Sequence, residues 1–138
     1  MTTSTTTRQA INSLFSAIGN GAAPHELAAR FTEDVDWRIP GDANAAPWIA
    51  QRQGRAGVAA FFADLLQYVQ PQRFEVHRLL VDGEYAVAIG HLVTTVKATG
   101  LLIDSEFAID IAVQDGLIRR YHLLEDSLAV YRAARGAA

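Results

Sequence analysis

The stretch YAVAIGHLVTTVKATGLLIDSEFAIDIAVQDGLIRRYHLLE, residues 85–125, decides the fold. Val, Ile, Leu, Phe and Tyr recur through it in rough alternation with polar residues, the period of an extended chain. Asp115-Gly116 within it and Asp82-Gly83 just before it are the dipeptides that tight hairpin turns require. An antiparallel meander is therefore predicted, with extended segments at about 73–81, 85–97, 101–114 and 117–125. Segments 85–97 and 101–114 exceed the usual strand of ~3–10 residues, so a sheet containing them has to coil. Ala86, Ala88 and Gly90 alternate on one face of the first of these, where missing side chains let the backbone bend or leave open volume above it.

Upstream of the meander the period becomes helical. Ile11, Leu14, Phe15 and Ile18 fall at i, i+3, i+4 and i+7, with Thr6 and Gln9 spaced for a capping box and GNG as the stop. Pro24 suits a first helical turn, so PHELAARF reads as a short second helix burying Leu27 and Phe31, and VDWRI after it reads as extended. Val58, Phe61, Phe62, Leu65 and Val69 form the stripe of a third helix over about 56–69, closed by Pro71. Helices first and a long curled meander after define an α+β protein. The expected organisation is one domain over residues 7–134, preceded by a disordered polar tail at 1–6.

Composition narrows the function classes. At 138 residues the chain can bury a sizeable core, and with no cysteine it has neither disulfides nor thiolate chemistry. The net charge is −3 and the basic residues are scattered, so nucleic acid is not an expected partner. No apolar run reaches the ~20 residues that span a bilayer, and MTTSTTT lacks the basic and apolar regions of a secretion signal, so no membrane association and a cytoplasmic location are expected.

Residues 36–55, DWRIPGDANAAPWIAQRQGR, hold both tryptophans in a segment without periodicity. Too rich in Ala and Trp for a solvated linker, the loop is expected to fold back onto the body of the protein.

The order of elements, with FTEDVDWRIPG (31–41), GRAGVAAFF (54–62) and FAIDIAVQDGLIRRYHLLEDS (107–127), resembles the NTF2-like superfamily, especially SnoaL-like and ketosteroid-isomerase-like proteins. The resemblance implies a cone: three N-terminal helices packed on a strongly curved, mainly antiparallel sheet that encloses an apolar pocket. It also implies a homodimer formed through the outer sheet face, an apolar small molecule as partner and no cofactor. Members of this superfamily include isomerases, epoxide hydrolases, polyketide cyclases, dehydratases and binding modules, so the fold does not fix the activity.

Carried over residue by residue, the best-known acid–base sets do not survive. The ketosteroid isomerase positions fall on Phe15, Ile39 and Ile109, and the limonene epoxide hydrolase positions on Gly90, Leu92 and Leu123. The acid that polyketide cyclases carry on the last strand has Glu125 or Asp126 as its nearest counterpart.

Strand alternation, set by the epoxide hydrolase similarity, turns Asp36, Arg38, Ser105, Phe107, Ile109, Ile111, Tyr121, Leu123 and Glu125 inward, and Trp37, His91, Glu106, Asp110, Arg120 and His122 outward. The catalytic candidates are Asp36, Arg38 and Glu125. Arg38 would hold a carboxylate or enolate oxygen, Asp36 would move a proton, and Glu125 would be an acid whose pKa burial raises. The other reading of Asp36 and Arg38 is a structural ion pair or two solvated side chains. Phe15, Trp48, Phe62, Ser105, Phe107, Ile109, Tyr121 and Leu123 are the ligand-contacting candidates, with Trp48 as a lid or wall. No metal site is expected: His91 and His122 lack ligand spacing, and cross-strand pairing with Glu106 or Asp110 explains them. Two functional classes stay open, an acid–base isomerase, cyclase or hydratase acting on an apolar cyclic or carbonyl compound, and a non-catalytic hydrophobic-ligand-binding or dimerisation protein.

Overall fold

The computed structural model describes residues 2–136. Its elements are α1 (Thr3–Gly19), α2 (Pro24–Ala28), β1 (Phe31–Arg38), a 3₁₀ turn (Pro47–Ile49), α3 (Gly54–Tyr68), β2 (Val69–Asp82), β3 (Tyr85–Val96), β4 (Leu102–Gln114), β5 (Leu117–Glu125) and α4 (Ser127–Arg135). The strands form one curved sheet in the order β1-β5-β4-β3-β2, with β1 parallel to β5 and every other pair antiparallel. The protein is α+β, and the predicted meander is present.

Several boundaries depart from the expectation for identifiable reasons. The polar head is helical from Thr3, with Thr2 as the cap whose hydroxyl accepts the Thr5 N–H, so the box at Thr6 and Gln9 does not form and residues 3–6 are not a tail. Met1 lies outside the described residues. What recruits the head is the β2–β3 turn: the buried Thr7 hydroxyl donates to the Gly83 carbonyl at 2.7 Å, and Ser4 Oγ accepts the Gly83 N–H at 2.9 Å. Hydroxyls that look solvated in a sequence here satisfy a turn's backbone groups.

The second helix stops at Ala28, and Phe31, fully buried, opens β1 instead. Likewise Val69 starts β2, and Pro71 sits inside that strand opposite Thr94. Its missing N–H is tolerated because β2 is an edge strand with one neighbour. A fourth helix, α4, adds to the three expected: Asp126 caps it by accepting the Leu128 and Ala129 N–H groups, and it buries Val130 and Ala133 against the sheet.

Ala86, Ala88 and Gly90 do share the inner face of β3 and are buried. Gly90 nevertheless leaves no open volume. A Cβ built there would lie 1.9 Å from the Glu75 carbonyl oxygen and 2.7 Å from the Phe107 ring, so the small residue admits the backbone of β2, not a ligand. The arginine implied at this position for epoxide hydrolase chemistry is sterically excluded.

Candidate functional site

Between the concave face of the sheet and α3 lies a cavity of about 170 Å³. β1 contributes Trp37 and Ile39, α3 contributes Phe61, Phe62 and Leu65, and β5 contributes Tyr121, Leu123 and Glu125. Trp48 closes one side from the 3₁₀ turn, which answers why a loop keeps a tryptophan. Ala46, Trp48 and Ile49 are buried, and Ile49 lies so close over Gly41 that a Cβ there would be 2.6 Å from its Cδ1. The segment thus packs down as a wall.

The orientation of β1 is the main correction. Val35, Trp37 and Ile39 are buried, whereas Asp36 and Arg38 are exposed on the other face. Pairing with β5 explains it: the register sets Asp36 beside Arg120, Trp37 beside Tyr121 and Arg38 beside His122, and side-by-side residues of paired strands share a face. The Trp37 and Tyr121 rings stack at 4.7 Å with 7° between planes. Asp36 instead joins an outer charge network. Its carboxylate lies 3.4 Å from Arg120, which also grips Asp110 at 2.9 Å, and His122 Nε2 is 2.9 Å away at an angle too bent for a hydrogen bond. Asp36, Arg38 and His122 border an open surface cleft outside the cavity.

On β4 and β5 the expected faces hold. Trp48, Phe62, Tyr121, Leu123 and Glu125 line the cavity, but four other ligand candidates do not. Phe15 stands beyond Phe74, 6.0 Å from its ring, on a shallower surface groove. Phe107 is covered by Phe74, stacked on it at 4.8 Å, and Ile109 is fully buried packing behind the wall. Ser105 is occupied structurally: it donates to the Glu106 carbonyl at 2.6 Å and accepts the Asp126 N–H at 2.9 Å, fixing the chain where β5 passes into α4. Trp37, Phe61, Leu65, Arg73 and Phe74 are wall residues that sequence reasoning did not select. Trp37 could have been found, since Val35, Trp37 and Ile39 alternate with Asp36 and Arg38 as a one-sided strand demands.

Glu125 is the titratable group that matters most. It is the last residue of β5, opposite Phe107 in the register, and its carboxyl lies against the apolar wall. Burial pushes its pKa up to about 7, with the neighbouring Asp126 carboxylate adding to the effect, and no hydrogen bond from another described residue offsets it. Burial also raises the Tyr121 pKa, so its hydroxyl keeps its proton and remains a donor at any physiological pH. One carboxyl near neutrality and one phenol that stays protonated, both on the inner face of β5, can respectively move a proton and donate to a developing oxyanion. Among the described residues no cluster of metal-ligating side chains occurs, and no helix is long and apolar enough to cross a membrane.

Comparison with known proteins agrees with this architecture. An NTF2-like protein from Burkholderia xenovorans LB400 is 25% identical and superposes with a TM-score of 0.84, over 95% of this chain and 97% of that one. An NTF2-like protein from Burkholderia pseudomallei K96243 is 18% identical, with a TM-score of 0.82 over 94% and 97% of the two chains. A protein from Catenulispora acidiphila DSM 44928 with a ketosteroid isomerase-like fold, in complex with trimethylamine, is 16% identical with a TM-score of 0.72 over 93% of each chain. No curated protein matches. The profile of the SnoaL-like domain matches residues 11–121, and the chain therefore belongs to the SnoaL-like domain family, within the NTF2-like superfamily.

Proposed function

We propose that the cavity binds an apolar cyclic or carbonyl-bearing small molecule and that Glu125 moves a proton on it, as in an isomerase, cyclase or hydratase that needs no cofactor. The observation that carries this reading is the Glu125 carboxyl, set in an apolar wall with its proton affinity raised to near neutrality. A base of that strength is ionised often enough to take a proton from carbon beside a carbonyl, and its conjugate acid is strong enough to return it. Tyr121 supplies the donor for the enolate oxygen. Asp36 and Arg38, on the outer face, take no part.

A second reading, binding without chemistry, is favoured by the apolar residues at Phe15, Ile39 and Ile109, where the ketosteroid isomerase set would stand. The two part in one assay, the exchange of α-protons of cyclohexanone and 2-cyclohexenone for deuterium in D2O, followed by proton NMR. The acid–base reading predicts protein-dependent exchange that rises with pH and levels off above about 7, because the ionised form of Glu125 is the base. Binding of these ketones with exchange no faster than in buffer would leave the binding reading standing alone.

We also propose a homodimer through the outer sheet face. Tyr85, Val87 and Leu80 project from β3 and β2 on that side and are exposed, although such residues are normally covered. Equilibrium sedimentation at micromolar concentration is expected to give twice the mass of one chain, and the mass of a single chain would refute the dimer.

A further inference from the structure

Phe74 stands between two hollows. It lines the cavity beneath α3, and it also lines the surface groove that runs between α1 and β2. Ile18 and Phe74 are the residues common to both, so these two side chains form the partition. A break in strand pairing aims Phe74 there. Pro71 pairs with Thr94 and Phe74 with Leu92, so three steps along β2 match two along β3, and Gln72 is an extra residue. Residues three apart in a regular strand face opposite sides, whereas Pro71 and Phe74 both line the cavity, as their partners Thr94 and Leu92 do. A bulge re-aims a side chain in this way, and bulges collect beside functional sites.

We propose that Phe74 is a size stop that restricts the cavity to ligands with a single ring, so that the apolar carbonyl compound it takes is monocyclic. The proposal deepens the reading of the cavity as a ligand site and rests on it. Volume supports it first. An apolar cavity of ~150 Å³ takes up one benzene molecule. The cavity here holds about 170 Å³, which leaves no room for a fused second ring. The nearest further space is the groove of about 410 Å³, on the other side of Phe74.

The packing around Phe74 holds it as a stop. Its ring stacks on Phe107 at 4.8 Å with 13° between planes, and Phe15 backs it from the groove at 6.0 Å. Phe107 lies in turn against Gly90, where a Cβ would stand 2.7 Å from the ring, so the stacked pair cannot sink into the sheet. The opposite wall does not yield either, because Trp37 is fixed by Tyr121 at 4.7 Å and Phe61 at 4.9 Å. Of the aromatic wall residues Phe74 is the exposed one, at 43%, because its outer edge belongs to the groove. Shortening it therefore opens a passage without emptying the core.

The test follows the indole N–H signals of Trp37 and Trp48, both in the cavity wall, by NMR of the ¹⁵N-labelled full chain. The ligands are cyclohexanone and 2-tetralone, the same ketone with a fused benzene ring. The unmodified protein is expected to bind cyclohexanone about tenfold more tightly, a discrimination that an apolar pocket achieves by shape. That order is opposite to the gain that extra apolar surface brings by itself. Phe74→Ala, which joins the two hollows, should reverse it. Phe74→Leu, which shortens the stop but keeps an apolar side chain, should narrow the difference, and it serves as the test if the Ala protein folds poorly. Equal or tighter binding of 2-tetralone by the unmodified protein overturns the proposal and leaves the cavity reading in place. So does continued exclusion of 2-tetralone from the variants while cyclohexanone still shifts the tryptophan signals. Binding of neither ketone by any of the three proteins overturns both.

Discussion

Replacing Glu125 with Gln is expected to slow ketone α-proton exchange by about 10²–10⁴-fold, the range that a positioned acid–base group contributes. Gln preserves the shape and the polarity of the side chain but cannot take a proton, so binding of the ketone should change little. The loss should therefore appear in kcat far more than in KM. The rise of rate with pH through about 7 should vanish with it, since that rise reports the ionisation of this carboxyl. Asp36→Asn is the matched control. It removes a carboxylate of the outer charge network, beside Arg120 and His122, and should leave exchange unchanged. A Glu125→Gln protein as fast as the unmodified one would transfer the chemistry elsewhere.

The largest effect on stability is expected at Trp37, where Ala should cost about 3–5 kcal/mol, the range for truncating a buried aromatic. Trp37 is 5% exposed and is the ring that joins the sheet to α3. It stacks on Tyr121 at 4.7 Å, meets Phe61 at 4.9 Å and Phe62 at 6.0 Å, and presents an edge to Phe31 at 5.9 Å. Its removal would strip partners from four rings at once and enlarge a cavity that already exists, so little collapse can repair the loss. Trp37→Phe, which keeps a ring on Tyr121, should cost well under half as much. Urea denaturation of the three proteins measures both values. A loss below about 1 kcal/mol in Trp37→Ala would show that β1 does not turn this face inward.

Strand period and turn dipeptides make the sheet legible, because alternation and Asp-Gly turns are local signals. The helical stripes place α1 and α3 for the same reason. Features set by long-range partners are not legible. Ser4 and Thr7 look like an unstructured head until the Gly83 backbone across the fold claims them. α4 is short and mostly Ala and Arg, and its signal, an Asp cap before Val130 and Ala133, is faint without the sheet that it covers.

The site shows the same division. Tyr121, Leu123 and Glu125 line the cavity as alternation along β5 predicts, and that strand ends at a recognisable junction. Asp36 and Arg38 do not, because a distant similarity sets the register of β1 against its own apolar alternation, Val35-Trp37-Ile39. The extra residue Gln72, which keeps both Pro71 and Phe74 on the cavity side of β2, is invisible in the sequence, since a bulge has no reliable mark there and β2 otherwise reads as a plain edge strand. Phe15, Ser105, Phe107 and Ile109 lie on inward-facing elements but behind other side chains, and facing inward is not the same as lining the void.

Proton transfer in the cavity depends on a carboxyl held in its apolar wall. Its most direct test is a pH titration of the Glu125 side-chain carbon by ¹³C NMR in protein labelled at glutamate, with Glu125→Gln assigning the signal. The expected midpoint is about 7, and a midpoint near the ordinary value of 4.5 would contradict the role proposed for Glu125.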